Sequence, residues 1–116
     1  MKPIEGKIVV IGDRDFVNIF KVIGMKEYYI IEGDRLRESV RRLLLKILED
    51  ETTGLIILME DLEDYVEDII EKYRFKLKPL IITLPSIKGS RIRDIQAHYT
   101  QLFKRILGIS ITLGGV

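Results

Sequence analysis

No cysteine occurs anywhere in the chain. That removes disulfides and thiolate metal sites, and it fits a reducing cytosol. Proline is scarce, and the composition is globular rather than disordered, with 47% hydrophobic and 32% charged residues. Neither sign of charge is in excess. Nineteen Lys and Arg stand against 18 Asp and Glu, a net charge of +1, which argues against nucleic acid or a membrane surface as an electrostatic partner. Aromatic–basic interleaving of the RNA-recognition type is missing too. The longest apolar runs, such as Ile8–Ile11 and Leu55–Met59, fall far short of the roughly 20 residues that span a bilayer, so no membrane insertion is expected. The opening MKPIEGK lacks a signal-peptide core. A high charged fraction without cysteine is also compatible with a thermophilic source.

What is present is alternation. Lys7–Ile11 is a continuous apolar run closed by Gly12, the pattern of a buried strand. Asp13 to Ile23 reads as a helix with Phe16, Val17, Phe20 and Ile23 on one face and Gly24 as its stop. Tyr28–Ile31 is a second strand. Asp34 is placed to cap a helix running to about Asp50, with Leu36, Val40, Leu43, Leu44, Ile47 and Leu48 inward. Leu55–Met59 is a third strand. Asp61 is placed to cap a third helix that buries Leu62, Val66, Ile69, Ile70 and Tyr73. Leu80–Leu84 is a fourth strand, ended by Pro85, and Ser90 opens a last helix to about Leu107. At 116 residues this is one domain with room for an appendage. An α/β head over residues 1–88 is followed by a terminal helix and tail over 89–116. Right-handed crossovers make the sheet four-stranded and parallel, with flanking helices and the flavodoxin-like order 2-1-3-4 as the simplest arrangement. Gly114–Gly115 favours a frayed tail over a short extra strand at Ile109–Leu113.

Chemistry in such sheets collects beyond the carboxyl ends of the strands. That edge carries Asp13, Asp15, Glu32, Asp34, Glu60 and Asp61. One reading is a Mg²⁺ site like that of receiver domains, using Asp13, Asp15 and Asp61, because carboxylates suit hard cations. The preferred reading is helix capping by Asp13, Asp34 and Asp61, each cap contributing about 1 kcal/mol. The receiver reading lacks a fifth strand and its following lysine, and Glu60 stands where a phospho-accepting aspartate is needed. A phosphate loop has less support. Gly12 stands alone after the first strand, no G-x-G-x-x-G or Walker lysine occurs, and carboxylates flank the helix start. His98 lies between Gln96 and Gln101 with no serine or cysteine nucleophile placed to use it. No catalytic group and no cofactor or metal site is therefore assigned.

The terminal helix carries the strongest single signal. Ile92, Ile95, Tyr99, Leu102 and Ile106 recur at spacings of 3, 4, 3 and 4, the rhythm of a coiled-coil seam. Such a stripe needs another surface, either its own sheet or another protein. Charge is uneven around it. Glu60 to Arg74 has seven acids against two bases, whereas Ser86–Leu107 has five bases (Lys88, Arg91, Arg93, Lys104, Arg105) against Asp94. Folding back onto the acidic helix and docking on an acidic partner would both suit that segment.

Taken in order, these segments resemble the small F subunit of archaeal-type and vacuolar-type rotary ATPases, from about Lys7 to Leu107. Gly12, Asp13, Asp15, Val17, Phe20 and Gly24 fit its first motif. GLIILMEDLEDYVEDII at Gly54–Ile70 fits its strand and acidic helix, and PLIITLPSIKG at Pro79–Gly89 its fourth strand. Phe16 stands where threonine is common and Ile19 where glycine is common, and the tail Ile109–Val116 exceeds the usual ending. The resemblance implies a non-catalytic central-stalk subunit of a proton-translocating ATP synthase or ATPase. Such a subunit is cytoplasmic and peripheral to the membrane, and it tunes synthesis or hydrolysis. Its terminal helix would pack along the coiled-coil D subunit, and its head would approach the nucleotide-binding subunits of the catalytic hexamer. On this chain the expected anchors are Ile92, Ile95, Tyr99, Leu102, Phe103 and Ile106, with Arg91, Arg93, Lys104 and Arg105 as rim charges. A receiver-like Mg²⁺-binding signalling domain is the alternative.

Overall fold

The computed structural model describes residues 6–76, 78–86, 97 and 101. Four strands, β1 (Lys7–Gly12), β2 (Glu27–Ile30), β3 (Thr53–Met59) and β4 (Leu80–Leu84), form one parallel sheet in the order β2-β1-β3-β4. The helices between them are α1 (Arg14–Ile23), α2 (Leu36–Leu48) and α3 (Glu67–Tyr73), the last preceded by a 3-10 segment at Glu60–Tyr65. The expected fold class and strand order are the observed ones. β3 is buried at all seven positions, as a central parallel strand covered on both faces should be. Its register joins Val9 to Ile56 and Ile11 to Leu58 on one side, and Ile56 to Ile81 on the other. α1 packs over β1 and β2, whereas α2 packs against the 3-10 segment. Right-handed crossovers account for this, placing α1 on one face and α2 and α3 on the other.

α1 forms where the sequence predicts it. The Asp13 side chain accepts the Phe16 backbone N–H at 2.9 Å. Gly24 closes the helix at φ 110°, its N–H donating to Phe20 and Lys21, and the Met25 N–H donates to the Phe20 carbonyl at 2.9 Å. Only glycine adopts that left-handed backbone at no steric cost. Phe16, Val17, Phe20 and Ile23 are all buried, and the Phe16 and Phe20 rings lie 4.9 Å apart.

Two capping expectations are corrected. α2 starts at Leu36 after Arg35, with no side-chain cap, so Asp34 does not cap it. The positive-φ Gly33 turns the chain one residue earlier, and the helix begins too far on for Asp34 to reach its orphan N–H groups. Asp61 also caps nothing. The chain winds into a 3-10 turn at Glu60, directly after β3, so Asp61 lies inside that turn. The α-helix restarts only after Val66 at φ −130° and ψ 16°. The inward apolar positions survive the break: Leu62, Val66 and Ile69 are buried, with Ile70 and Tyr73 packed against the same core.

Candidate functional site

At the carboxyl edge of the sheet the acidic side chains serve as ties between loops. Asp13 is committed to the α1 cap. The Arg14 backbone N–H donates to Glu32 Oε2 at 3.2 Å, and the Ile31 N–H donates to the Gly12 carbonyl at 2.8 Å, so the loops after β1 and β2 hold each other. Ser86 Oγ donates to Asp61 Oδ1 at 2.7 Å, fastening the exit of β4 to the 3-10 segment. Asp15, Asp34 and Glu60 are exposed. Among the described residues no three His, Cys, Asp or Glu side chains gather closely enough to hold a metal ion. Asp13, Asp15 and Asp61 are therefore not brought together as a Mg²⁺ site requires.

The opposite edge holds a cluster that sequence reasoning missed. Lys7 Nζ lies 2.7 Å from Asp50 and 3.2 Å from Glu27. Thr52 donates to Asp50 through both its N–H, at 2.9 Å, and its hydroxyl, at 2.6 Å. The Lys7 ammonium first, then these two Thr52 bonds, hold the Asp50 carboxyl far below the usual carboxylate range. The same two carboxylates raise Lys7. A cavity of ≈ 170 Å³ opens beside the cluster; Thr53, 1% exposed, is among its lining residues, and its buried hydroxyl has no protein partner among the described residues.

A second missed tie joins two helices. Arg41 sits inside the inward register of α2, between Val40 and Leu43, and that interruption was its only sequence signal. Its Nη1 reaches Asp68 Oδ1 at 2.6 Å and the Tyr65 carbonyl at 3.0 Å, while Nη2 reaches Asp68 Oδ2 at 3.0 Å. The guanidinium lowers the Asp68 carboxyl from 3.8 to about 2.

The ten residues expected to meet a partner, Ile92, Ile95, Tyr99, Leu102, Phe103, Ile106, Arg91, Arg93, Lys104 and Arg105, lie outside the described residues, as do His98 and the tail Ile109–Val116. Ala97 and Gln101, which fall between the stripe positions, are helical and exposed. No helix among the described residues is long and apolar enough to cross a membrane.

Comparison with known proteins supplies what the geometry alone does not. Residues 8–101 match the family model for the ATP synthase (F/14-kDa) subunit. The F subunit of the A-type ATP synthase of Thermococcus sibiricus is 33% identical over 106 residues, covering 90% of this chain and 97% of that protein. The F subunit of the V-type ATP synthase of Fusobacterium nucleatum is 32% identical over 84 residues, 72% of this chain and 75% of that protein. The A-type F subunit of Methanothermobacter thermautotrophicus is 29% identical over 109 residues, 92% and 97% of the two chains. The carboxyl-edge acids tie loops together, and the match runs nearly end to end; the chain belongs to the family of F subunits of A-type and V-type ATP synthases, which are non-catalytic members of that complex.

Proposed function

We propose that the chain is a central-stalk subunit that binds a D-type coiled-coil subunit through its terminal helix and so tunes coupling between nucleotide turnover and proton movement. The supporting observation is the pair Ala97 and Gln101. They are one helical turn apart, helical and exposed, and they lie off the register of Ile92, Ile95, Tyr99, Leu102 and Ile106. A helix with a wet face at 97 and 101 and an apolar seam elsewhere suits groove docking, in which a few anchors dominate the binding energy. Phe103 extends the seam, and Arg91, Arg93, Lys104 and Arg105 set register and association rate from its rim. On this reading residues 1–88 are a head and 89–116 the docking segment. The head also approaches the nucleotide-binding subunits, and the protein works on the cytoplasmic side, peripheral to the membrane.

The test is Leu102→Asp in the full chain. A carboxylate in the seam buries an unpaired charge only in the complex. Binding to the D-type subunit is expected to weaken at least about 30-fold, roughly 2 kcal/mol, while the melting temperature of the free protein hardly moves. Equal loss of both would assign Leu102 to the chain's own core. Unchanged binding would assign the contact to the head.

A further inference from the structure

We propose that the loop between α3 and β4 is a second docking point, which inserts Phe75 into an apolar recess on an acidic protein surface of the same complex. The inference rests on the reading that the chain acts as a bound subunit, but it uses residues that the terminal seam does not.

Phe75 is 90% exposed, the wettest of the large hydrophobic side chains among the described residues. A lone exposed leucine or valine is ordinary. A phenylalanine presented almost whole to water forgoes one of the largest burial gains available to any side chain. Its position is held by the turn that carries it. The Arg74 N–H donates to the Glu71 carbonyl at 3.4 Å, and the Lys76 N–H to the Tyr73 carbonyl at 3.1 Å.

Charge identifies the partner. From Lys72 to Lys78 the sequence is KYRFKLK, with four cations and no acid. Lys72, Arg74, Lys76 and Lys78 are exposed. Two of them are braced: Arg74 Nη2 lies 3.0 Å from Glu71, and Lys76 Nζ sits 4.5 Å from the centre of the Tyr73 ring. Side chains already held lose less freedom on docking. An aromatic anchor ringed by cations matches a recess with an acidic rim, and both arginine and phenylalanine are enriched at interface cores. Beside the loop lies an open groove of ≈ 230 Å³ lined by Glu63, Ile70, Tyr73, Arg74, Leu80, Ile81 and Thr83, with Leu80 40% exposed. The surface thus offers a knob and an adjoining groove of mixed character, apolar at Ile70, Leu80 and Ile81 and polar at Glu63, Arg74 and Thr83. The chain's own terminal segment is a poor occupant, since Ser86–Leu107 carries five bases against one acid and would bring like charge to like.

The experiment titrates the labelled full chain into its own ATPase complex prepared without this subunit, at two salt concentrations. Phe75→Ser should weaken binding at least tenfold with an unchanged melting temperature, because the side chain touches little of the fold. The double variant Lys76→Glu/Lys78→Glu should weaken binding at low salt and flatten its salt dependence. Wild-type affinity in Phe75→Ser overturns the proposal. It is also overturned if Phe75→Ser abolishes only sedimentation with phosphatidylserine-containing vesicles, making the loop a membrane reader. Abolition of self-association alone would make the occupant a second copy and sink it equally. Leu102→Asp, run in parallel, separates the two readings: a loss there with none in Phe75→Ser removes only this proposal, and failure of the unaltered chain to bind removes both.

Discussion

Arg41 grips Asp68 with both guanidinium nitrogens, at 2.6 and 3.0 Å, and so staples α2 to α3 across one face of the sheet. The pair fixes the spacing of α2 and α3. The third Arg41 bond, to the Tyr65 carbonyl, sits at the last residue of the 3-10 segment, next to the break in the helix.

Acid should loosen this staple. The Asp68 carboxyl titrates at about 2 in the folded protein and near 3.9 in an unfolded chain. Its contribution is present above the unfolded value and is lost as pH falls from about 4 through 2. Asp50, lowered by Lys7 and Thr52, acts in the same direction. Lys7 acts from the other side: its raised pKa contributes stability below 10.5 that is lost as pH climbs through the folded value. Urea midpoints between pH 5 and 2 should fall less steeply in Asp68→Asn and in Asp50→Asn than in the wild type. Parallel curves would contradict the assignment.

The two aspartates that precede α1 and α2 should separate under mutation. Asp13→Ala removes a cap that accepts the Phe16 N–H and is expected to cost about 1 kcal/mol. Asp34→Ala removes no cap and should stay within about 0.5 kcal/mol of wild type. Chemical denaturation distinguishes the two, and equal losses would mean that Asp34 caps after all.

Two glycines should fail for different reasons. A Cβ at Gly12 would run into the Phe16 ring and is expected to cost about 1–3 kcal/mol by overpacking. A Cβ at Gly24 meets nothing within 4 Å; the penalty there is the left-handed backbone alone, about 1 kcal/mol. Shrinking the neighbour in Gly12→Ala/Phe16→Leu should recover part of the first loss, measured against Phe16→Leu alone. The Gly24→Ala loss should add to Phe16→Leu without recovery. Simple additivity at Gly12 would refute the steric account.

A chain ended after Lys88 should keep a cooperative thermal transition. Every buried hydrophobic residue of the described core lies between Val9 and Leu84, and the four strands and three α-helices are all retained. An aggregated or molten product would assign residues 89–116 to the core and weaken the docking role of the terminal helix.

How far the sequence could be read is clearest at these same positions. The apolar register 62, 66, 69, 70, 73 predicted the core-facing side correctly, with Leu62, Val66 and Ile69 buried and Ile70 and Tyr73 partly so, even though the backbone changes from 3-10 to α within it. Neither the type of winding nor the fate of Asp61 was legible in that register. Strand ends shifted by one or two residues where Thr53 and Gly54 extend β3 beyond its apolar run. The Lys7–Glu27–Asp50 cluster was invisible for another reason. Its members come from the starts of β1 and β2 and from the turn before β3, and only the closed sheet brings them together. Phe75 was passed over because its spacing fits neither a helix stripe nor a strand.

The parallel sheet also governs the order in which a nascent chain can use its own parts. β1 pairs with β3 through Ile8–Leu55 and Ile11–Leu58, and no hairpin joins any two neighbours. The central pairing cannot form until Met59 has left the ribosome. At about 5–20 residues per second, that leaves the apolar strand Val9–Ile11 waiting roughly 2–10 s for its second neighbour. β2 arrives sooner, and its pairing to β1 occupies one edge in the interval. The other edge must be guarded by speed of synthesis or by a chaperone.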